Sequence, residues 1–192
     1  MRLKPIAPND LTAEQRPIYE DMKAGITKGF TGFKAVREDG ALIGPWTPWL
    51  HAGRTGTAIW ELTKALSADA TLPDPARQVA ILVTGAKFRA GYEIYAHVMV
   101  AEKDGLTEAK VATIVAGQRP LDLTREEAVA YDVAAALTAG GVLPEPTYQI
   151  ARQTFGPEGA SELIYLVGLY CLVSMTLNGF DVPIPDDPNY ER

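Results

Sequence analysis

Glu93 and His97 stand four residues apart in Gly91-Tyr92-Glu93-Ile94-Tyr95-Ala96-His97. On a helix that spacing puts both side chains on one face. A carboxylate beside an imidazole fixes its tautomer and raises its pKa, which makes a workable acid–base unit near neutral pH. Arg89 precedes Glu93 by another four residues, so the pattern predicts an Arg-Glu-His stripe. The same spacing also describes a solvated Arg89–Glu93 pair worth only a few tenths of a kcal/mol, with His97 half-buried beside it. Spacing alone leaves both readings open.

His51 is the only other histidine and follows the aromatic run Gly44-Pro45-Trp46-Thr47-Pro48-Trp49-Leu50. Beside Trp46 and Trp49 it either completes a pocket with His97 or serves a surface or interface. Trp46 and Tyr95 are candidate pocket walls, although buried tryptophans are more often core or interface anchors. Tyr92 and Tyr95 lie on different faces of a helix, and one of them is a candidate donor to an oxyanion. Arg54, just after the aromatic run, is the first candidate to grip a substrate carboxylate. Arg77, Lys87 and Arg89 follow it, each with a plain surface or intersubunit salt bridge as the alternative.

Composition narrows the chemistry. The chain has 192 residues, 47% apolar and 22% charged, which suits one globular domain. A net charge of −6 argues against a nucleic-acid partner, which needs a basic face. The single cysteine, Cys171, excludes an intrachain disulfide, a dithiol redox centre and a multi-thiolate zinc site. Two histidines exclude a three-histidine metal site, and with Glu93 they would make only a thin one, so no metal is assigned. Phosphate-loop, dinucleotide-turn and nucleophile-elbow motifs are missing. The N-terminus lacks an apolar signal region, and the apolar run Leu163 to Leu177 falls short of a membrane span of roughly 18 residues. A cytoplasmic protein away from membranes is the expectation.

The elements that must position these residues read as helices divided by Pro and Gly. A capping box at Thr12 opens a helix to about Ala24, with Pro17 as a candidate kink. Gly25 to Pro48 reads as a long loop ordered by Phe30, Phe33, Ile43, Trp46 and Trp49. Helices are predicted from about Trp49 to Leu66, then from an Asp74 cap and Pro75 through Lys103, with Ala90-Gly91 as a candidate break. Shorter ones follow from Thr107 to Ala116, from a Thr124 capping box to Thr138, and from Pro146 to Thr154. The last starts at Gly156-Pro157 and runs to Asn178, apolar on all sides and therefore central or covered by a partner. The tail, residues 181–192, is expected to be extended. The fold class is all-α, a compact single-domain bundle of about seven helices spanning 1–192. So much apolar helix also points to a homo-oligomer.

Tyr92-Glu93-x-Tyr95-Ala96-His97, then Ala101 and Gly105-Leu106, resembles the motif of carboxymuconolactone decarboxylase-like proteins, which share the alkyl hydroperoxidase D-like fold. The run of residues 75 to 82, the loop 44 to 51 and the helix Ile164 to Asn178 fit the same pattern, so the likeness covers about 40–180. It implies a helical subunit that assembles into trimers or hexamers. One branch of that family uses a Cys-x-x-Cys pair before a histidine. Here Ala90 and Glu93 hold those positions and Gln78 stands where the relay glutamate falls, so a dithiol peroxidase is excluded. The other branch resembles the lactone decarboxylase, which needs no cofactor because the unsaturated lactone accepts the released electrons.

The resemblance thus implies a cofactor-independent decarboxylase-like lyase for a small carboxylated, aromatic-derived molecule. In it His97 is the general acid/base, Glu93 orients it and His51 assists. Arg54 or Arg89 would hold the carboxylate, with Tyr95 and Trp46 lining the pocket. The rival is a small-acid-binding or assembly protein that keeps the fold without turnover. A peroxidase-related protein working through Cys171 alone is the remaining alternative.

Overall fold

The computed structural model describes residues 1–68 and 70–190, and within them the chain forms eight α-helices joined by turns and one long loop. Thr12 and Gln15 exchange the two bonds of a capping box, at 3.2 and 3.1 Å, and α1 (Gln15–Gly29) follows. Pro17 sits in the first turn, where a missing N–H has no helical partner, so it does not kink α1. The helix outlasts the predicted Ala24 because Ile18, Tyr19, Met22 and Ile26 continue one buried stripe.

The aromatic run is itself helical. Trp46 to Leu50 are all buried in α2 (Trp46–His51), and α3 (Arg54–Ala68) starts after Ala52-Gly53. The predicted single helix from Trp49 to Leu66 is therefore two, divided where Gly53 takes a φ of +56°. The next division falls where it was predicted: α4 (Asp74–Phe88) ends at Arg89, and α5 (Gly91–Lys103) begins afresh. Asp74 is the first residue of α4 rather than its side-chain cap. Thr107 caps α6 (Glu108–Val115), and the Thr124–Glu127 capping box opens α7 (Arg125–Ala139). The last element, α8 (Glu145–Gly179), is two helical halves meeting at Gly156, whose φ of 73° and ψ of 174° break the spiral ahead of Pro157.

The central helix is α4 and not α8. Ten consecutive residues of α4, Ala76 to Gly85, are buried, and it packs on α5, α6, α7 and α8. The second half of α8 is apolar all round, but Tyr165 and Met175 are 66% and 58% exposed. Glu145–Gly179 is long and apolar enough to cross a membrane by length and composition; Leu163, Leu166 and Val167 of it instead fill the core against α4 and α7. A second core joins α1, α2 and the loop before α2 to α5 and the end of α8, and the Glu93–His97 pair lies at its edge.

Candidate functional site

The break between α4 and α5 positions the pair. Arg89 adopts a left-handed φ of 51°, the chain turns, and Glu93 comes to lie in the first turn of α5 with His97 one turn on. Glu93 Oε1 is 3.1 Å from His97 Nε2. The contact is close but off-axis, and Oε1 has no aligned hydrogen-bond partner. Gly85 of α4 makes room: a Cβ there would stand 3.2 Å from Glu93 Cγ, tighter than side chains normally pack.

A chain of polar groups fixes the imidazole from behind. Gln78 on α4 donates from Nε2 to Asp104 Oδ2 at 3.0 Å, which turns its carbonyl oxygen toward His97. His97 Nδ1 lies 2.8 Å from that oxygen and must carry the proton, since the oxygen only accepts. Nε2 therefore presents its lone pair to Glu93. The Tyr170 ring of α8 meets the imidazole edge-on at 5.1 Å.

Burial then decides the charges. A helix N-terminus favours a carboxylate by about 1 kcal/mol, yet desolvation of a fully buried one is worth several times more. Glu93 is accordingly pushed up to about 8 by burial. Burial lowers His97 to about 3, with the nearby Arg77 charge adding to it. Burial also lifts the Tyr170 hydroxyl above its ordinary value. At neutral pH the pair is an uncharged acid beside an uncharged base. The expectation that the carboxylate would raise the imidazole is reversed, because burial penalises the charged form of each group more than the two would gain by pairing.

The pair opens on a narrow cavity of about 30 Å³, room for about one water. Its walls are aromatic: Trp46 and Trp49 from α2, Phe30 and Phe33 from the preceding loop, Tyr92 from α5 and Tyr170 from α8. Phe33 stacks on Trp46 with centroids 6.3 Å apart, and Phe30 meets Trp46 edge-on at 5.5 Å. The loop is tied to α5: the Lys34 N–H donates to the Tyr95 hydroxyl at 2.6 Å, and the Tyr92 hydroxyl donates to the Lys34 carbonyl at 2.8 Å. Gly44 carries a φ of +72° and lies where any side chain would strike the Tyr92 ring, so only glycine lets α2 start there.

Of the residues predicted for the site, the structure brings together His97, Glu93 and Trp46. Tyr95 is next to them but faces away. Its hydroxyl donates to Asp187 Oδ2 at 2.5 Å, and its ring packs against Tyr190, so it fastens the C-terminal tail and the loop. His51 and Arg54 are not in the cavity. They line an open cleft with Glu14, Gln15 and Asp21, and His51 Nε2 contacts the Lys4 carbonyl at 2.9 Å. The turn at Ala52-Gly53 and the α1–α2 packing send them to the outside. Arg89 is also elsewhere. It ends α4, is exposed, and lines a surface cleft with Lys87 and Tyr131. The predicted Arg89–Glu93 stripe fails because those residues sit on different helices. Arg77 is held by Glu162 and the Leu66 carbonyl.

Reading the sequence did not single out Tyr170, Asp104 or the roles of Phe30 and Phe33 in the site. Tyr170 belongs to an apolar helix with no polar signature, and Asp104 meets Gln78 only through the fold. Gln78 was legible as the residue at the relay position. Among the described residues no three His, Cys, Asp or Glu side chains converge as a metal site.

No protein-family model and no curated protein matches the chain. Two solved structures share its shape. The debrominase Bmp8 in its apo form aligns with a TM-score of 0.71 at 15% identity, over 92% of this chain and 90% of that one. A cysteine-to-alanine variant of Bmp8 in complex with 2,3,4-tribromopyrrole aligns with a TM-score of 0.69 at 16% identity, over 97% and 92%. Likeness at this identity establishes the fold: the chain is an all-helical domain built like that of the debrominase Bmp8.

Proposed function

We propose that the protein is a cofactor-independent enzyme that moves a proton on a small, flat, unsaturated molecule, and that its reaction is decarboxylation of a carboxylated lactone or a similar ring-fission acid. The observation that carries this reading is the Glu93–His97 pair, held uncharged at the edge of an aromatic cavity. A protonated carboxyl and a free imidazole lone pair 3.1 Å apart are an acid and a base both ready at neutral pH. The cavity lining has no Lys or Arg. A carboxylate entering it loses water without gaining a counter-charge. Its charge is then better accommodated once the carbon–carbon bond electrons have moved onto a conjugated carbonyl oxygen and carbon dioxide has left. Glu93 supplies the proton that replaces it and is reprotonated from solvent as product leaves, with His97 Nε2 as the relay that takes up the solvent proton and passes it on.

The fold neighbour Bmp8 was crystallised with a small, flat heteroaromatic ring, the shape that these aromatic walls suit. Cys171, the single cysteine, packs against the α4–α7–α8 core and is not among the residues lining the cavity, which favours acid–base over thiol chemistry there. The test is ultraviolet-monitored turnover of carboxymuconolactone and related ring-fission acids by the wild type, with folded His97→Ala and Glu93→Gln beside it. Turnover that falls about a hundredfold or more in both variants supports the reading. Turnover unchanged in both removes the pair from the chemistry. Saturable binding of these acids without turnover converts the protein to a binding module.

A further inference from the structure

Among the described residues only five buried side-chain polar atoms have no hydrogen-bond partner, and three belong to residues that line the same cavity: Trp46 Nε1, Trp49 Nε1 and Glu93 Oε1. The other two, on Thr154 and Ser174, belong to α8. Buried donors are paired in nearly every folded protein, so two unpaired indole N–H groups at one cavity call for an explanation. Trp46 and Trp49 are 3% and 2% exposed, and their rings meet edge-to-face at 6.4 Å. The third tryptophan behaves in the ordinary way: Trp60 Nε1 donates to Asp21 Oδ2 at 2.8 Å. Packing explains the volume of the two bicyclic rings but not their nitrogens, each of which strands a donor in an apolar wall.

We propose that the indole N–H groups of Trp46 and Trp49 form a donor cradle for the carbonyl oxygen of a ring-sized ligand, and that the site selects cyclic unsaturated carbonyl compounds, lactones foremost. This deepens the proposed function: the oxygen in the cradle is the one that receives the electrons as the bond to the departing group breaks. An indole N–H only donates and carries no charge. It therefore suits a carbonyl that becomes an oxyanion in the transition state better than a free carboxylate that is anionic from the start. A lactone ring exceeds the 30 Å³ available, so Phe30 and Phe33 must yield to it. Both are half-buried side chains of the loop before α2.

The experiment reads the indole signals directly and needs no turnover. The protein has three tryptophans, hence three indole N–H resonances in a proton–nitrogen correlation spectrum. Butenolide is titrated in, with cyclopentene as an unsaturated ring of the same size that lacks both the carbonyl and the ring oxygen. The expected result is a saturable downfield shift of the Trp46 and Trp49 signals by butenolide alone, with Trp60 unmoved. Replacing either tryptophan by benzothienylalanine exchanges the N–H for sulfur at nearly constant shape. It should weaken butenolide about five- to tenfold, the worth of one neutral hydrogen bond, and leave cyclopentene as it was. Equal responses to the two rings, or no indole shift at the solubility limit of butenolide, overturn the proposal. If butenolide shifts the indoles but no acid is turned over, the cradle stands and the decarboxylase reading falls.

Discussion

Replacing Glu93 by Gln tests the uncharged pair through stability, independently of any substrate. Glu93 has an ordinary value of 4.5 and is lifted by burial to about 8; His97 has an ordinary value of 6.5 and is lowered by burial to about 3. The raised carboxyl contributes stability that is complete below pH 4.5 and is lost as the pH climbs through about 8. The depressed imidazole contributes stability that is complete above pH 6.5 and is lost as the pH falls through about 3. Between 4.5 and 6.5 the folded and unfolded chains each hold one proton on this pair, so its contribution is flat there. In Glu93→Gln only the imidazole slope survives, and stability falls from pH 6.5 downward.

The wild-type advantage over the variant should therefore grow as pH drops from about 8 to 4.5, at about 1.4 kcal/mol per unit. Over that window the swing approaches roughly 5 kcal/mol, an order-of-magnitude figure. Urea unfolding of both proteins across the window measures it, with the midpoints and slopes compared at each pH. Parallel stability curves would refute the reasoning, because they would mean that Glu93 titrates alike in the folded and unfolded chains.

Three further outcomes are expected. Nitrogen chemical shifts of His97 should report the Nδ1-protonated tautomer, and Gln78→Leu, which strands that buried N–H, should cost about 1–3 kcal/mol in chemical unfolding. Tyr95→Phe removes the acceptor of the Lys34 N–H and the donor to Asp187; amide exchange at Lys34 should quicken, with a loss of about 1–3 kcal/mol. The exposed Tyr165 and Met175 lie on the apolar half of α8, and the expected homo-oligomer places that face against a second copy. Sedimentation should then give a mass above the 20.7 kDa of one chain, and Tyr165→Lys with Met175→Lys should lower it.

The fold was largely legible because helix ends are written in short-range chemistry. Thr12, Thr107 and Thr124 begin helices through side-chain bonds to nearby backbone, and Gly105 and Gly156 end them through positive φ. What misled was the expectation that the most apolar helix is the most buried. The 35-residue α8 contains the long apolar stretch, but α4 is enclosed by four neighbours and can carry Arg77 and Gln78 only because Glu162 and Asp104 meet them. Burial is a property of the packing, and a sequence window does not contain the packing.

The same distinction separates the legible part of the site from the rest. Glu93 and His97 were found because four residues on a helix is a local spacing that survives into the structure. Arg89 was misplaced by one local event, its own left-handed turn, which moved it to another helix while leaving the spacing in sequence unchanged. His51 and Arg54 were misplaced by the turn at Ala52-Gly53, which bends the chain immediately after Trp49 has entered the cavity. Both errors push in one chemical direction: the positive charges leave, and the groups that remain at the cavity are neutral. Neutral donors stabilise charge that appears during a reaction and do little for charge already present in the substrate. An arginine-lined pocket would have argued for recognition of a carboxylate, whereas tryptophan N–H groups beside an uncharged acid–base pair argue for stabilising an oxygen that becomes negative only as the bond breaks.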